Sequence, residues 1–188
     1  MTSRPRASAP LSRLYSENGG EFMTIAAVAY LDTDEPIVTP ITFVLKGATL
    51  VTVRYAEPRP FMMFNARVQK PGAVPCGNGE QIMLGLLEAL IDRIADAMER
   101  VGVKIDTISR EVFRDATRAG ASRSRDFQGV LVNIGREGDL LSMIRESLVS
   151  MTRVLTYHTA VAEEGDKRAV KDMRQRIRSI QRDISSLT

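Results

Sequence analysis

The sequence predicts an α+β fold with an α/β/α-like layer, a small and mainly antiparallel sheet packed with helices. Two observations carry that prediction. The first part of the chain has apolar alternation with β-branched enrichment, in segments separated by glycine-containing turns. Near residue 80 the hydrophobic period changes from two to about three and a half and then persists. The length over which it persists adds a long antiparallel helical hairpin and the beginning of a stalk helix to the layer.

Residues 1–11 are rich in Arg, Ser and Pro and contain no acid, so a disordered N-terminal tail is expected there. Residues 12–78 form the β-rich part. "RLYSENGGEFMTIAAVAYL" places two apolar segments around Asn18, Gly19 and Gly20, residues that tolerate the positive φ of a tight hairpin. "IVTPITFVL" and "LVTVRY" flank Lys46, Gly47 and Ala48 as a second hairpin, and the whole reads as a four-stranded meander. Pro40 has no amide proton, so its strand needs an edge or a bulge at that point. "AEPRPF" ends the sheet, a short helix follows around Phe61–Val68, and the loop "KPGAVPCGNG" comes next.

The long hairpin is expected over 79–160, with helices at about 80–118 and 126–158. Leu84, Leu87, Ile91, Ile94, Met98, Val101, Ile105, Ile108 and Val112 make an unbroken series in steps of three and four, opened by a capping-box-like Asn78 and Gln81. A helix over 84–112 would extend about 42 Å, longer than a small sheet can cover. It must project beyond the sheet or pack along another long helix. Phe127, Val130, Ile134, Leu141, Ile144, Leu148, Met151 and Leu155 supply that partner, with one weak layer near Gly135 and Gly138. From residue 166 a third helix begins, with apolar positions at Val170, Met173, Ile177, Ile180, Ile184 and Leu187, and no capping residue follows. It reads as the truncated beginning of a stalk.

Composition narrows the function. With 188 residues and 44% hydrophobic content, the chain can bury one sizeable core. One cysteine and one histidine exclude a disulfide framework and a Cys/His zinc cluster. "MTIAAVAYL" and "IMLGLLEALI" fall short of the roughly 20 apolar residues that cross a bilayer. There is no P-loop, GxGxxG, GxSxG or HExxH motif, so no catalytic residue is assigned and the chain is not read as an enzyme. His158 falls at a core-facing position of the second long helix and reads as a core or boundary histidine; Cys76 reads as a free thiol without a role. The net charge is +3, and Lys167, Arg168, Lys171, Arg174, Arg176, Arg178 and Arg182 crowd the last helix. Such a basic helix suits solvent, or the phosphates of a nucleic acid or of lipid headgroups. Nucleic acid is disfavoured, because the basic residues lack interleaved aromatics. One acidic group remains, Asp32, Asp34 and Glu35 in "YLDTDEP" between two strands. It suits a solvated turn, or hard oxygen ligands for magnesium or calcium.

The order of elements and several strings resemble the cytosolic portion of the CorA family of magnesium and cobalt transport proteins. The strings are "ITFVLKGATLVTVRYAEPRPF", "LLEALIDRIADAMERV" with "IDTISREVF", "IGREGDLLSMIRESLVSMTRVLTYH" and "RDISSLT". The resemblance runs from about Ser12 to the last residue. It implies a cytosolic regulatory, ion-sensing domain of a divalent-cation transporter that conducts nothing by itself. It further implies a homopentamer in the full-length form, with a parent protein in the inner membrane and this portion cytoplasmic. The membrane would be reached only through segments beyond this sequence, where the family's Gly-Met-Asn signature also lies. Regulatory Mg2+, or Co2+ or another divalent cation, would bind between neighbouring domains, with Asp32 or Asp34 nearest the family's loop acid and Glu35 beside them. A CorA-like zinc transporter shares the architecture, and a coiled-coil interaction module is the reading from another class.

Overall fold

In a computed structural model of the chain, the residues described are 13–70, 77–116 and 123–161, followed by 167, 168, 170, 171, 174, 175, 178 and 182. The expected N-terminal tail, the loop segment with Cys76 and most of the stalk helix lie outside the described residues.

Four strands, β1 (Leu14–Glu17), β2 (Gly20–Ala29), β3 (Ile37–Lys46) and β4 (Thr49–Arg54), form one sheet in the order β1-β2-β3-β4, every neighbour antiparallel. This is the expected meander. Asn18 and Gly19 both have positive φ, 51° and 73°, as a two-residue hairpin with the sheet's right-handed twist demands. Pro40 lies opposite Ala26, whose amide points away from β3. The proline nitrogen therefore faces the β4 side, where pairing has already ended at Ile41 and Arg54, and no ladder bond is lost.

Three helices follow: α1 (Arg59–Val68), α2 (Gly79–Ala116) and α3 (Arg123–Val161). Asn78 caps α2 by accepting the Gln81 amide at 2.9 Å, and the Gln81 side chain takes the Gly77 amide at 2.7 Å. The reciprocal bond of the expected capping box thus reaches one residue further upstream. Gly79 donates its amide to the Ala48 carbonyl at 2.8 Å, and a Cβ there would lie 2.7 Å from the backbone of Thr49 and Leu50. Only glycine lets α2 start against the β3–β4 turn.

One core joins the layers. Met23, Ile25 and Ala27 of β2 and Ile41, Phe43 and Leu45 of β3 pack against Met83, Leu87, Ile91 and Ile94 of α2 and Ile144, Leu148, Met151 and Leu155 of α3. Burial ends at Val101 on α2 and begins at Leu141 on α3 for the apolar stripe. Farther out Ile105, Ile108 and Val112 are only partly covered, and Ile134 and Leu131 are 51% and 62% exposed. At about 1.5 Å per residue, α2 spans about 57 Å, so its distal third projects past the sheet as the length argument required.

α3 also buries Ser147, Ser150 and Val154, which the heptad reading did not assign to the interior, together with His158, which it did. Along this edge of β2 the described residues of β1 pair only as far as Met23, with the Thr24 amide donating to the Arg13 carbonyl at 2.9 Å. Ser150 closes that edge: its Oγ accepts the Ala26 amide at 3.0 Å and donates to the Ser147 carbonyl at 2.8 Å. The hydroxyl serves as the acceptor that a strand carbonyl would otherwise supply, which removes the cost of a buried unpaired amide.

Candidate functional site

The acidic loop begins with a forced turn. Tyr30 has φ 59°, uncommon for a bulky residue, and its carbonyl accepts both the amide and the hydroxyl of Thr33, each at 2.9 Å. The Thr33 hydroxyl in turn accepts the Glu35 amide at 3.3 Å. This turn sends Asp32 one way, toward the helices, and leaves Asp34 and Glu35 exposed.

Three arginines meet Asp32. Arg59 at the start of α1 lies 3.2 Å from one carboxylate oxygen; Arg93 and Arg100 of α2 share the other, Arg100 at 3.4 Å. Arg93 and Arg100 are seven residues apart and stand on one helix face, two turns from each other. Arg93 also reaches Asp96 at 3.5 Å, and Arg100 donates to the Leu31 carbonyl at 3.3 Å. Gly85 sets the position of Arg59 indirectly. A Cβ at that glycine would sit 2.5 Å from the Phe64 ring, so its absence lets α1 close on α2 beside the loop.

The loop acids therefore do not converge within one chain. Asp32 is engaged by three guanidinium groups, which compete with a cation for its oxygens. Among the described residues no three His, Cys, Asp or Glu side chains are arranged to hold a metal ion. Asp34 and Glu35 are exposed, and among the described residues no side chain pairs with their carboxylates. Spacing along the chain located the acids, but the arginines come from helices far along the sequence and left no local signal.

A second polar cluster lies at the opposite end of the sheet. His158, in the last turn of α3, is 2% exposed. Its Nδ1 lies 2.9 Å from Glu21 Oε2 of β2, and its Nε2 lies 2.9 Å from Glu80 Oε1 in the first turn of α2. Burial pulls the imidazole pKa down, but hydrogen bonds and charge attraction from both carboxylates outweigh it, and the net shift is upward from 6.5. Protonated, the ring donates to both acids at once; neutral, it has one donor for two acceptors. The Ser16 and Tyr157 hydroxyls meet at 2.6 Å on the outer side. The expected core or boundary histidine is thus a clasp across three elements, and the two carboxylates favour its protonated form. A stated periodicity placed it inside, but only the fold brings Glu21 and Glu80 to it.

No described helix is long and apolar enough to cross a membrane. The family model described as CorA-like Mg2+ transporter protein matches residues 4–188. A magnesium transport protein CorA of Pasteurella multocida (strain Pm70) is 26% identical over 176 residues, covering 94% of this chain and 48% of the relative. The magnesium transport protein CorA of Yersinia pestis is 22% identical over 147 residues, covering 78% and 43%. The chain thus spans about half the length of the curated relatives it matches. Among solved structures, the soluble domain of CorA from Methanocaldococcus jannaschii superposes with a TM-score of 0.65 at 10% identity, over 94% of this chain and 66% of that one. The ZntB cytoplasmic domain from Vibrio parahaemolyticus RIMD 2210633 gives 0.66 at 9% identity, over 97% and 72%. At such identities the superpositions speak for the fold alone, whereas the family model covers nearly every residue. The chain belongs to the CorA-like Mg2+ transporter family.

Proposed function

We propose that this chain is the cytosolic, ion-sensing portion of a magnesium or cobalt transporter and has no catalytic or conducting role of its own. Family membership supports the class, and the single observation that carries the sensing role is the presentation of the acidic loop. Asp32 is clamped to α1 and α2 by arginines, while Asp34 and Glu35 stand exposed on the loop so anchored. In this reading Asp32 positions the loop, and Asp34 and Glu35 meet the regulatory cation. Mg2+ keeps most of its waters and bridges carboxylates without a closed protein cage, so a site shared with a neighbouring copy in a homo-oligomer suits it. Filling the site screens acids that otherwise repel across the interface and favours the associated state; losing the ion loosens it. In the parent protein, held in the inner membrane through segments outside this sequence, that change in association would regulate transport from the cytoplasmic side.

Sedimentation velocity and thermal melting with and without millimolar Mg2+ or Co2+ test the proposal. The expected result is association and a higher melting temperature in the cation, abolished in the Asp34→Ala/Glu35→Ala double variant. Asp32→Ala is expected to lower stability equally with and without the ion. A wild-type chain indifferent to Mg2+ and Co2+ in both assays refutes the sensing role. The likeness to the ZntB cytoplasmic domain favours one second reading, the corresponding portion of a zinc transporter. A response to Zn2+ alone, at concentrations where Mg2+ and Co2+ have no effect, selects it.

A further inference from the structure

We propose that the cleft between the last turns of α3 and the basic helical residues that follow binds a phosphate-bearing anion. Lys167, Lys171, Arg174 and Arg178 form its wall, with the Thr159 hydroxyl and the Gln175 amide beside them, around a cavity of 320 Å³. That volume lies at the small end of the roughly 300–1,000 Å³ typical of ligand sites. The four cations follow one another in steps of four, three and four, which places them on a single helix face.

The wall is anchored. Val170 between them is buried in the hydrophobic core, which ties this segment to the body of the domain. Arg174 donates through Nη2 to the Leu155 carbonyl of α3 at 3.0 Å, which fixes its guanidinium at the cleft floor. Like charges three and four residues apart destabilise a helix, and no carboxylate is among the described residues that line the cavity. Lysine and arginine offer donors and no acceptor, so an anion is the ligand this wall suits. A divalent cation is repelled here and an apolar ligand leaves the ammonium groups unpaired. Two linked phosphates carry about three to four negative charges at neutral pH, a match for four cations. The inference is independent of the metal-sensing reading, because no acid of the 30–36 loop takes part.

Position within the basic segment gives the test its control. Arg168 and Arg182 are exposed on the same segment and do not line the cleft. The full 188-residue chain, held in EDTA at about 0.15 M ionic strength, is titrated calorimetrically with sodium tripolyphosphate. Flotation assays with phosphatidylglycerol and with phosphatidylcholine vesicles run beside it. One equivalent of tripolyphosphate is expected to bind, at least about tenfold more weakly in Lys171→Ala/Arg178→Ala and unchanged in Arg168→Ala/Arg182→Ala. The two double variants lose the same net charge, and unchanged circular dichroism in both excludes unfolding as the cause. Flotation with phosphatidylglycerol vesicles without tripolyphosphate binding, showing the same dependence on Lys171 and Arg178, assigns the phosphate to a lipid headgroup. Equal weakening in both double variants overturns the proposal, as does binding of several equivalents or of neither probe, because the attraction is then a property of the basic segment as a whole.

Discussion

Replacing His158 by glutamine is expected to remove a ring, with its protonated form favoured, that bridges two mostly buried carboxylates. Glu21 and Glu80 are each 16% exposed and 2.9 Å from the ring, so His158→Gln removes from two mostly buried acids the imidazole that both engage. Breaking a buried ionic cluster by deleting one member costs about 3–5 kcal/mol. That is a large share of the roughly 5–15 kcal/mol by which domains are stable. At about 2–4 °C per kcal/mol for a chain of this size, the melting temperature falls by about 6–20 °C. Adding Glu21→Gln and Glu80→Gln to the variant removes the two carboxylates that lost the imidazole and is expected to recover most of the loss. The pH dependence has a definite sign. The folded-state pKa lies above 6.5, so the clasp contributes fully below that value, and its contribution falls as pH rises through the folded-state pKa. Between the two pKa values, wild-type stability declines relative to His158→Gln by up to about 1.4 kcal/mol per pH unit, then levels off. Urea denaturation of both proteins across this range is the assay. Parallel stability profiles above pH 6.5 would refute the cationic clasp.

Two glycines of α2 predict opposite signs for one substitution. Gly85→Ala places a methyl 2.5 Å from the buried Phe64 ring and is expected to cost about 1–3 kcal/mol as α1 is pushed from α2. Gly102→Ala meets nothing within 4 Å and is expected to stabilise by about 0.5–1 kcal/mol through helix propensity. Equal signs in chemical denaturation count against the α1–α2 packing described above. Ser150→Ala deprives the Ala26 amide of its acceptor and is expected to cost about 1–3 kcal/mol. Hydrogen exchange at that amide should accelerate more than at its neighbours in β2, and unchanged exchange there would show that the edge is closed by something else.

Both polar clusters were hidden in the sequence for the same reason. The motif "YLDTDEP" is visible as three acids, yet its arginines are 27 and 61 residues away for Arg59 and Arg93. The Glu21–His158 contact spans 137 residues and the Glu80–His158 contact 78. No local pattern encodes such separations. Ser150 shows a different failure: on a hydrophobicity scale it marks a polar face, but the Ala26 amide at the strand edge needs its hydroxyl more than a methyl group. By contrast Asn18 and Gly19, the Asn78 cap and the stripe from Leu84 to Val101 are local or periodic features. These were legible because backbone sterics and the helical repeat act within a few residues.

By itself the sequence determined the meander, the short helix, the two long helices and the point where the apolar period changes, since each follows from turn chemistry or from repeat length. Only the tertiary structure decided which charges meet. It turned Asp32 toward arginines while leaving Asp34 and Glu35 outward, enclosed His158 between two acids and ended core burial at Val101 and Leu141. The physical reason is the range of the forces. Conformational preference is set by neighbours in the chain, whereas the energy of a charge or an edge amide is set by whatever packing brings within a few ångströms of it.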